Sequence, residues 1–199
     1  MGRSAKIAIG IGVAVLILYF ILATPYNSLV GLDESVNKAQ ADVEVTLQRR
    51  LDLIPNLVET VRGYAAHERE TLEAVIKARQ QVAAAPGLAE KLNADQALTS
   101  ALGRLMVVVE RYPDLKASQN FRALQDQLEG TENRISVART RYNTAVQEYN
   151  RTVRSFPTLI LARIIGYQPR PVWQAAPAAQ TAPKVQFGTT PAAPAAAGN

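Results

Sequence analysis

The sequence predicts an all-α protein, and three features carry that prediction. Residues 7–23 are apolar and uncharged. Behind them, apolar residues recur at steps of three and four over long stretches, the spacing that places side chains on one face of a helix. Proline or glycine interrupts this pattern at AAAPGLAE and RYPDL, where helices are expected to end. We therefore expect an apolar N-terminal helix, a group of amphipathic helices and a C-terminal tail.

Composition excludes several classes of protein. The 199 residues are enough for one globular domain with extensions. The net charge of +5 owes much to the two ends, which contain no acid and carry Arg3, Lys6, Arg170 and Lys184. The helical region is almost neutral, so we expect no nucleic-acid binding. The lack of cysteine excludes thiol catalysis, disulfides and thiolate metal sites.

We predict that residues 7–25 cross a membrane once. The uncharged run is rich in Ile, Leu and Val, which favour insertion into lipid. A cleaved signal peptide is the alternative, but no A-x-A site follows the run and Pro25 stands just behind it, which favours retention. Since Arg3 and Lys6 precede the run, we expect the N-terminus in the cytoplasm and the remaining helices on the outer side.

The apolar stripes divide the rest of the chain into four long helices. We expect these at about Tyr26–Arg50, Asp52–Ala85, Asn93–Arg111 and Phe121–Phe156, the last with a seven-residue coiled-coil frame. The stripe of the first helix continues through Ile54. From the residues alone, either one kinked helix passes through Pro55 or the chain reverses near Asp52, with Pro55 in the first turn of the second helix.

Three segments carry a family resemblance. YNSLVGLDESV, RRLDLIPNLVETVRGYAAHE and ENRISVARTRYNTAVQEYN resemble the LemA family of bacterial membrane-anchored helical proteins, over residues 26–167. The resemblance implies an up-and-down antiparallel four-helix bundle behind one membrane span of the bacterial inner membrane. It favours the reversal near Asp52, and it implies no particular reaction.

The resulting domain plan has four parts. Residues 1–6 form a basic flank, 7–25 a transmembrane helix and 26–167 the bundle. Residues 168–199 are mostly alanine and proline, with little to bury, so we expect a disordered tail or extended polyproline geometry. Within it, PKVQF is the one stretch that could pair as a strand.

No catalytic, metal or cofactor site is predicted. His67, the sole histidine, stands in AAHERE, and Thr71 occupies the position where a zincin motif needs its second histidine. One histidine also cannot supply the two Glu-x-x-His pairs of a ferritin-like centre. A hydrolase using His67 with Glu68 or Glu70 is the least favoured hypothesis.

Three sets of residues are candidate binding sites. If the reversals near Asp52 and Pro113 lie at the same end, they form a partner-binding surface, with helix caps and salt bridges as the alternative. Its members are Arg49, Arg50, Asp52, Asn56, Arg111, Tyr112 and Asp114. The YN pairs Tyr142–Asn143 and Tyr149–Asn150 lie seven apart, which predicts either core tyrosines with hydroxyls at the rim or a ligand crevice. The third set, a membrane-interface segment that could instead pack under the bundle, contains Leu159, Arg163, Tyr167 and Trp173.

These features predict a non-enzymatic, single-pass scaffold or adaptor of the bacterial envelope. Its expected partners are the lipid bilayer through residues 7–25, an unidentified membrane or envelope protein, and a second copy, because seven-residue stripes pair readily between chains. The alternative is a ligand- or lipid-sensing module with a crevice between helices. The first hypothesis needs no saturable small-molecule site, whereas the second does.

Overall fold

A computed structural model describes residues 2–173. Within this range the regular structure is entirely helical, which confirms the all-α prediction. The helices are α1 (Arg3–Tyr64), α2 (Arg69–Ala84), α3 (Leu88–Val109), α4 (Pro113–Ala117), α5 (Gln119–Arg154) and α6 (Thr158–Ile165). As far as these helices are described, none combines the length and the apolar character that crossing a membrane requires.

The predicted reversal near Asp52 is wrong, because α1 continues through Pro55 to Tyr64. Proline in a helix interior leaves the carbonyl four residues earlier without its usual donor and costs about 3 kcal/mol or more. Here that carbonyl belongs to Leu51, and Arg79 of α2 donates to it from Nε at 2.8 Å. The side chain of Arg79 thus replaces the missing backbone donor, and the chain turns only at residues 65–68.

The long helices pack as two antiparallel pairs, α1 with α5 and α2 with α3. One core cluster joins the C-terminal part of α1 to α2, α3, α4 and the start of α5. A second joins the middle of α1 to the rest of α5, the first turns of α3 and Ala162 of α6. The two clusters therefore stack along the α1–α5 pair, and the α2–α3 hairpin covers mainly the first.

The turn between α2 and α3 lies partway along α1, not at its start. Helix α2 has 16 residues, which is about 24 Å, whereas α5 has 36 residues and is more than twice as long. Leu88 and Glu90, at the start of α3, line a cavity together with Gln40 of α1 and Tyr142 of α5. The chain between α2 and α3 therefore does not return to the beginning of the bundle.

Residues 166–173 fold back onto α5. Gly166, with φ 85°, ends α6 in the left-handed conformation, and the Tyr167 amide donates to the carbonyl of Ala162 at 2.9 Å. Residues 168–173 then continue without regular structure along α5. Of the two expectations for the tail, residues 168–173 match the extended geometry and not disorder, while residues 174–199, including PKVQF, lie outside the described part.

Candidate functional site

A buried ionic cluster ties three helices together at Arg50. Its side chain is 3% exposed, and Nη1 donates to both carboxylate oxygens of Asp95 on α3, at 3.0 and 3.2 Å. The same nitrogen forms an ion pair with Glu132 of α5. Nη2 donates to the hydroxyl of Thr99 at 3.0 Å. Arg50 is therefore held inside the protein, where an external partner cannot contact it.

The cluster contains two carboxylates for one guanidinium. Burial raises the pKa of Asp95, and the nearby charge of Glu132 adds to this, whereas Arg50 and Arg139 act in the opposite direction. The charges of Arg50 and Asp95 are buried among α1, α3 and α5, while Glu132 is partly exposed, and this arrangement suits a structural role. It fixes the register of the three helices, because a shift of one turn would leave a buried charge unpaired.

The turns at the far end of the bundle meet around Glu68. Arg111 donates to its Oε1 from Nη2 at 2.8 Å, and the hydroxyl of Tyr112 donates to the same oxygen at 3.0 Å. This hydrogen bond to a carboxylate raises the pKa of Tyr112. Glu68 is therefore engaged by two donors. Within residues 2–173 no group of acidic and histidine side chains is arranged to hold a metal ion.

The structure divides the predicted partner-binding set. Arg49, Asp52 and Asn56 lie exposed in the C-terminal third of α1, where Asp52 accepts a hydrogen bond from Gln48 at 2.8 Å. Arg50 is buried. Arg111, Tyr112 and Asp114 lie at the turn beside Glu68, beyond the end of α1 at Tyr64, which is roughly 18 Å from Asp52 at 1.5 Å per residue. The set does not form one surface, because the expected reversal near Asp52 does not exist.

The two asparagines of the YN pairs bind an extended segment of the same chain. Asn150 donates from Nδ2 to the carbonyl of Arg170 at 2.7 Å and accepts from the Arg170 amide at 2.7 Å. Asn143 does the same with Trp173, at 3.0 and 3.1 Å. Seven helical residues rise about 10.5 Å, which is also about the span of three extended residues. The heptad spacing of the asparagines therefore matches every third residue of an extended chain.

Side chains complete the binding of this segment, residues 168–173, which we call the latch. Tyr149 has its ring buried, and its hydroxyl donates to the carbonyl of Gln168 at 3.0 Å. Arg170 reaches across to α1 and donates to Asp33 at 2.6 Å and Asn37 at 2.7 Å. The ring of Trp173 lies under the guanidinium of Arg139, whose Cζ is 4.9 Å from the ring centroid.

The predicted crevice residues thus share one face of α5, and the latch covers it. Burial raises the pKa of both Tyr142 and Tyr149. A cavity of about 340 Å³ remains beside Tyr142, between the latch and the start of α3. Its lining includes Gln40, Leu88, Pro171 and Trp173.

The predicted membrane-interface set is also divided. Leu159 is half-buried and Arg163 exposed, both on α6. Tyr167 packs against Tyr149 with ring centroids 6.4 Å apart, and Trp173 is fixed on Asn143. Tyr167 and Trp173 therefore belong to the packing on α5, since the chain turns back after Gly166.

Comparison with known proteins identifies the family of this chain. The sequence model of the LemA family matches residues 39–187. The chain belongs to the LemA family. It is 30% identical over 182 residues to Magnetosome protein MamQ 2 of Paramagnetospirillum magneticum, covering 78% of this chain and 67% of that protein. It is 28% identical over 209 residues to Magnetosome protein MamQ of Magnetospirillum gryphiswaldense, covering 91% and 77%. Protein LemA of Metamycoplasma hominis is 23% identical over 148 residues, covering 74% and 68%.

Sequence reasoning missed several residues of the two sites in this LemA family protein. Asp95, Thr99 and Glu132 complete the ionic cluster, and Asp33, Asn37, Arg139 and Arg170 complete the latch contacts. A signal existed for Asp95, because it stands at a core position of the α3 stripe between Leu92 and Leu98. A lone acid on an apolar stripe implies a buried partner. The latch gave no such signal, since its alanine- and proline-rich context is typical of disorder.

Proposed function

We propose that this LemA family protein is a membrane-anchored, non-catalytic scaffold of the bacterial envelope. Residues 7–25 anchor it in the inner membrane, with the N-terminus in the cytoplasm. An up-and-down four-helix bundle stands on the outer side and acts through contacts with other proteins and with its own copies. The observation that carries the proposal is the single helix α1, which joins the apolar N-terminal run to the bundle without a break.

The described apolar side chains at the start of α1 face away from the protein. Those of Ile11, Leu16, Tyr19 and Phe20 are 56–63% exposed. A contiguous group of large apolar side chains is unfavourable in water and is typical of surfaces that contact lipid or another protein. Because α1 is continuous, lipid around these residues would fix the bundle at a set distance from the bilayer.

A second apolar stripe lies beside this segment, on and just before α6. Ile160 and Ile164 of α6 are exposed by 56% and 76% and are spaced by four residues, which places them on one side of the helix. Phe156, in the turn before α6, is exposed by 81%. Leu161 of α6 lines a cavity with Tyr19 and Tyr26 of α1. The two apolar groups therefore occupy the same end of the molecule, as expected for a helix that rests on the membrane surface.

The family relationship supports the same function. The relatives are named as magnetosome proteins and as Protein LemA, and these names denote no reaction. The family match and these relatives favour a membrane-associated helical protein. We assign partner binding to two separate groups of exposed side chains in the outer half of the bundle, one on α1 and one at the turn beside Glu68, and the partner is an unidentified membrane or envelope protein. These side chains are Arg49, Asp52, Asn56, Arg111 and Asp114.

Extraction of membranes with alkaline carbonate tests the anchor. We expect the full chain to stay in the membrane pellet, and a variant with Ile11→Asp, Leu16→Asp and Phe20→Asp to be released. The matched control changes three exposed valines elsewhere, Val45→Asp, Val107→Asp and Val137→Asp, and should remain in the pellet. Release of the unchanged protein would contradict the proposal.

Crosslinking in intact cells followed by mass spectrometry tests the scaffold. We expect crosslinks between copies and to at least one envelope protein. Charge reversal by Arg49→Glu and Asp52→Lys should reduce recovery of that envelope protein while the melting temperature stays unchanged, because both side chains are exposed. An unchanged partner profile would contradict the assignment of partner binding to the group on α1.

The cavity beside Tyr142 favours a second candidate function, a ligand- or lipid-sensing module. Its volume of about 340 Å³ lies in the range of small-molecule sites. Titration of the purified full chain with envelope fragments and short-chain lipids separates the two functions. Saturable binding that is lost in Tyr142→Ala supports the sensor, and its absence supports the scaffold alone.

A further inference from the structure

The latch and its groove have the properties of a peptide and its binding site. The groove consists of Asn143, Tyr149 and Asn150 on α5 together with Asp33 and Asn37 on α1. Four of its hydrogen bonds join asparagine side chains to the backbone of the latch at two positions three residues apart. Such contacts require an extended backbone and do not depend on side chains at those positions.

Side-chain contacts then make the groove selective. Arg170 meets the carboxylate of Asp33 at 2.6 Å, and three residues later Trp173 meets the guanidinium of Arg139. The groove therefore fits an extended chain with a cation at one position and an aromatic ring three residues on. The latch sequence Gln-Pro-Arg-Pro-Val-Trp has this pattern, and every copy of the protein carries it.

The sequence of the latch favours the extended conformation in which it is bound. Pro169 and Pro171 flank Arg170, and proline both fixes its own φ and disfavours helical backbone in the preceding residue. A segment of this kind remains extended when released, so it loses little conformational freedom on binding again. Gly166, with φ 85°, is the point at which the chain leaves α6, and glycine tolerates a change of direction there better than other residues.

From these contacts we propose that the latch is exchangeable between copies: residues 168–173 of one molecule occupy the α1–α5 groove of a second molecule. The inference rests on the proposed scaffold function and names the contact through which copies associate. The same latch contacts are available within one chain or between two, so exchange leaves their number unchanged. Its cost is the entropy lost when two copies associate and the rearrangement of Gly166 and Tyr167, whose ring packs on Tyr149. Confinement of copies to one membrane raises their effective concentration and favours exchange.

A charge-swap experiment on the full-length chain tests the exchange. Asp33→Arg places a cation opposite Arg170, and Arg170→Asp places an anion opposite Asp33, so each variant repels its own latch. When the two variants are mixed, each latch finds a complementary charge in the groove of the other. With different affinity tags in co-reconstituted liposomes, we expect the mixture to co-purify about tenfold more strongly than either variant with itself.

Trp173 reports whether the latch is seated, because it is the only tryptophan of the chain. Its emission should move to longer wavelength in each single variant and return in the mixture. The double variant Asp33→Arg with Arg170→Asp on one chain should behave like the unchanged protein, since the pair is restored with reversed sign. Circular dichroism checks that every variant keeps its helix content.

A matched control swaps charges on the same two helices away from the latch. Asp42 and Arg141 are exposed and line a cavity that the latch does not border. Mixing Asp42→Arg with Arg141→Asp should give no gain in co-purification. The proposal is overturned if the Asp33 and Arg170 variants stay separate, or if they associate while Trp173 remains solvent-exposed. In that case crosslinks between unchanged copies would still support the scaffold, whose anchor is tested independently by carbonate extraction.

Discussion

At the scale of single residues, two adjacent arginines of α1 differ in burial. Arg50 is buried between Asp95 and Glu132, whereas Arg49 is exposed. Removing one member of a buried ionic cluster leaves charges unpaired and costs about 3–5 kcal/mol, while an exposed substitution changes stability by at most about 0.5 kcal/mol. Arg50→Ala should therefore lower the free energy of unfolding far more than Arg49→Ala. Urea titration followed by circular dichroism measures both, and equal effects would contradict the structural role of Arg50.

The protonation of Asp95 should also affect stability. Its folded-state pKa is raised, mainly by burial, so the folded chain binds this proton more tightly than the unfolded chain. The resulting contribution to stability is present at pH values below the unfolded pKa and is lost as the pH rises through the folded pKa. On acidification from about pH 7 to about pH 4, the free energy of unfolding of the unchanged protein should rise relative to that of Asp95→Asn. A relative fall would mean that the attraction to Arg50 outweighs burial.

The sequence predicts which face of its helix a residue occupies, but not which residue it contacts. The stripe of α3 places Asp95 among leucines, yet its partner Arg50 lies 45 positions away. Periodicity gives the orientation of a side chain about its own helix and contains no information about which helix stands opposite. For the same reason the asparagines of α5 were found, but the latch that they bind was not.

At the scale of the helix, Pro55 has a partner on α2. Because proline has no amide hydrogen, the carbonyl of Leu51 is free to accept from Arg79 at 2.8 Å. Pro55→Ala would restore a backbone donor that competes for this carbonyl. Arg79→Ala should destabilise the unchanged protein by about 1–2 kcal/mol and the Pro55→Ala variant by clearly less. A double-mutant cycle measures this coupling.

The control for this cycle is Lys77→Ala, an exposed position on the same helix. It should give the same small change in both backgrounds. Equal effects of Arg79→Ala in both backgrounds would show that the carbonyl of Leu51 is not the relevant acceptor.

The position of the reversal could not be decided from the sequence alone. The apolar stripe passes from Leu47 through Leu51 and Ile54 without a change of phase, which is compatible with one helix or two. The helix propensity of proline argues for a break at Pro55. The contact with Arg79 offsets that preference, and it exists only once α2 has folded back onto α1.

At the scale of the whole molecule, the apolar stripes predicted the all-α class. They did not predict how the lengths of the helices compare, and these lengths determine how far the α2–α3 hairpin extends along the α1–α5 pair. The hairpin of α2 and α3 is too short to follow α1 and α5 along their length. It therefore leaves the middle of the α1–α5 pair uncovered on one side, and the latch occupies part of that space. Proline-rich sequence at 168–173 predicted disorder or an extended chain but no binding site for it, because a local pattern cannot show that a groove of matching spacing exists elsewhere in the chain.

The same dimensions allow the orientation of the protein on the membrane to be measured. Along α1, Tyr64 lies about 57 Å from Tyr26 at 1.5 Å per residue, and the turn at Asp114 lies near Tyr64 because Arg111 contacts Glu68. The chain has no cysteine, so single cysteines can carry a fluorescent label. In liposomes containing nitroxide-labelled lipid, a label at Ile164→Cys should be strongly quenched.

Labels at two positions farther from the membrane serve as internal controls for the label at Ile164. A label at Asp114→Cys should be unaffected by the nitroxide lipid. One at Ala89→Cys, at the α2–α3 turn near Gln40, should also be unquenched, since it lies about 20 Å beyond Tyr26 by the same rise per residue. Equal quenching at Ile164 and Asp114 would mean that the bundle lies flat on the bilayer. The apolar stripe of α6 would then not define a membrane-facing end, and α1 would not hold the outer turns away from the lipid.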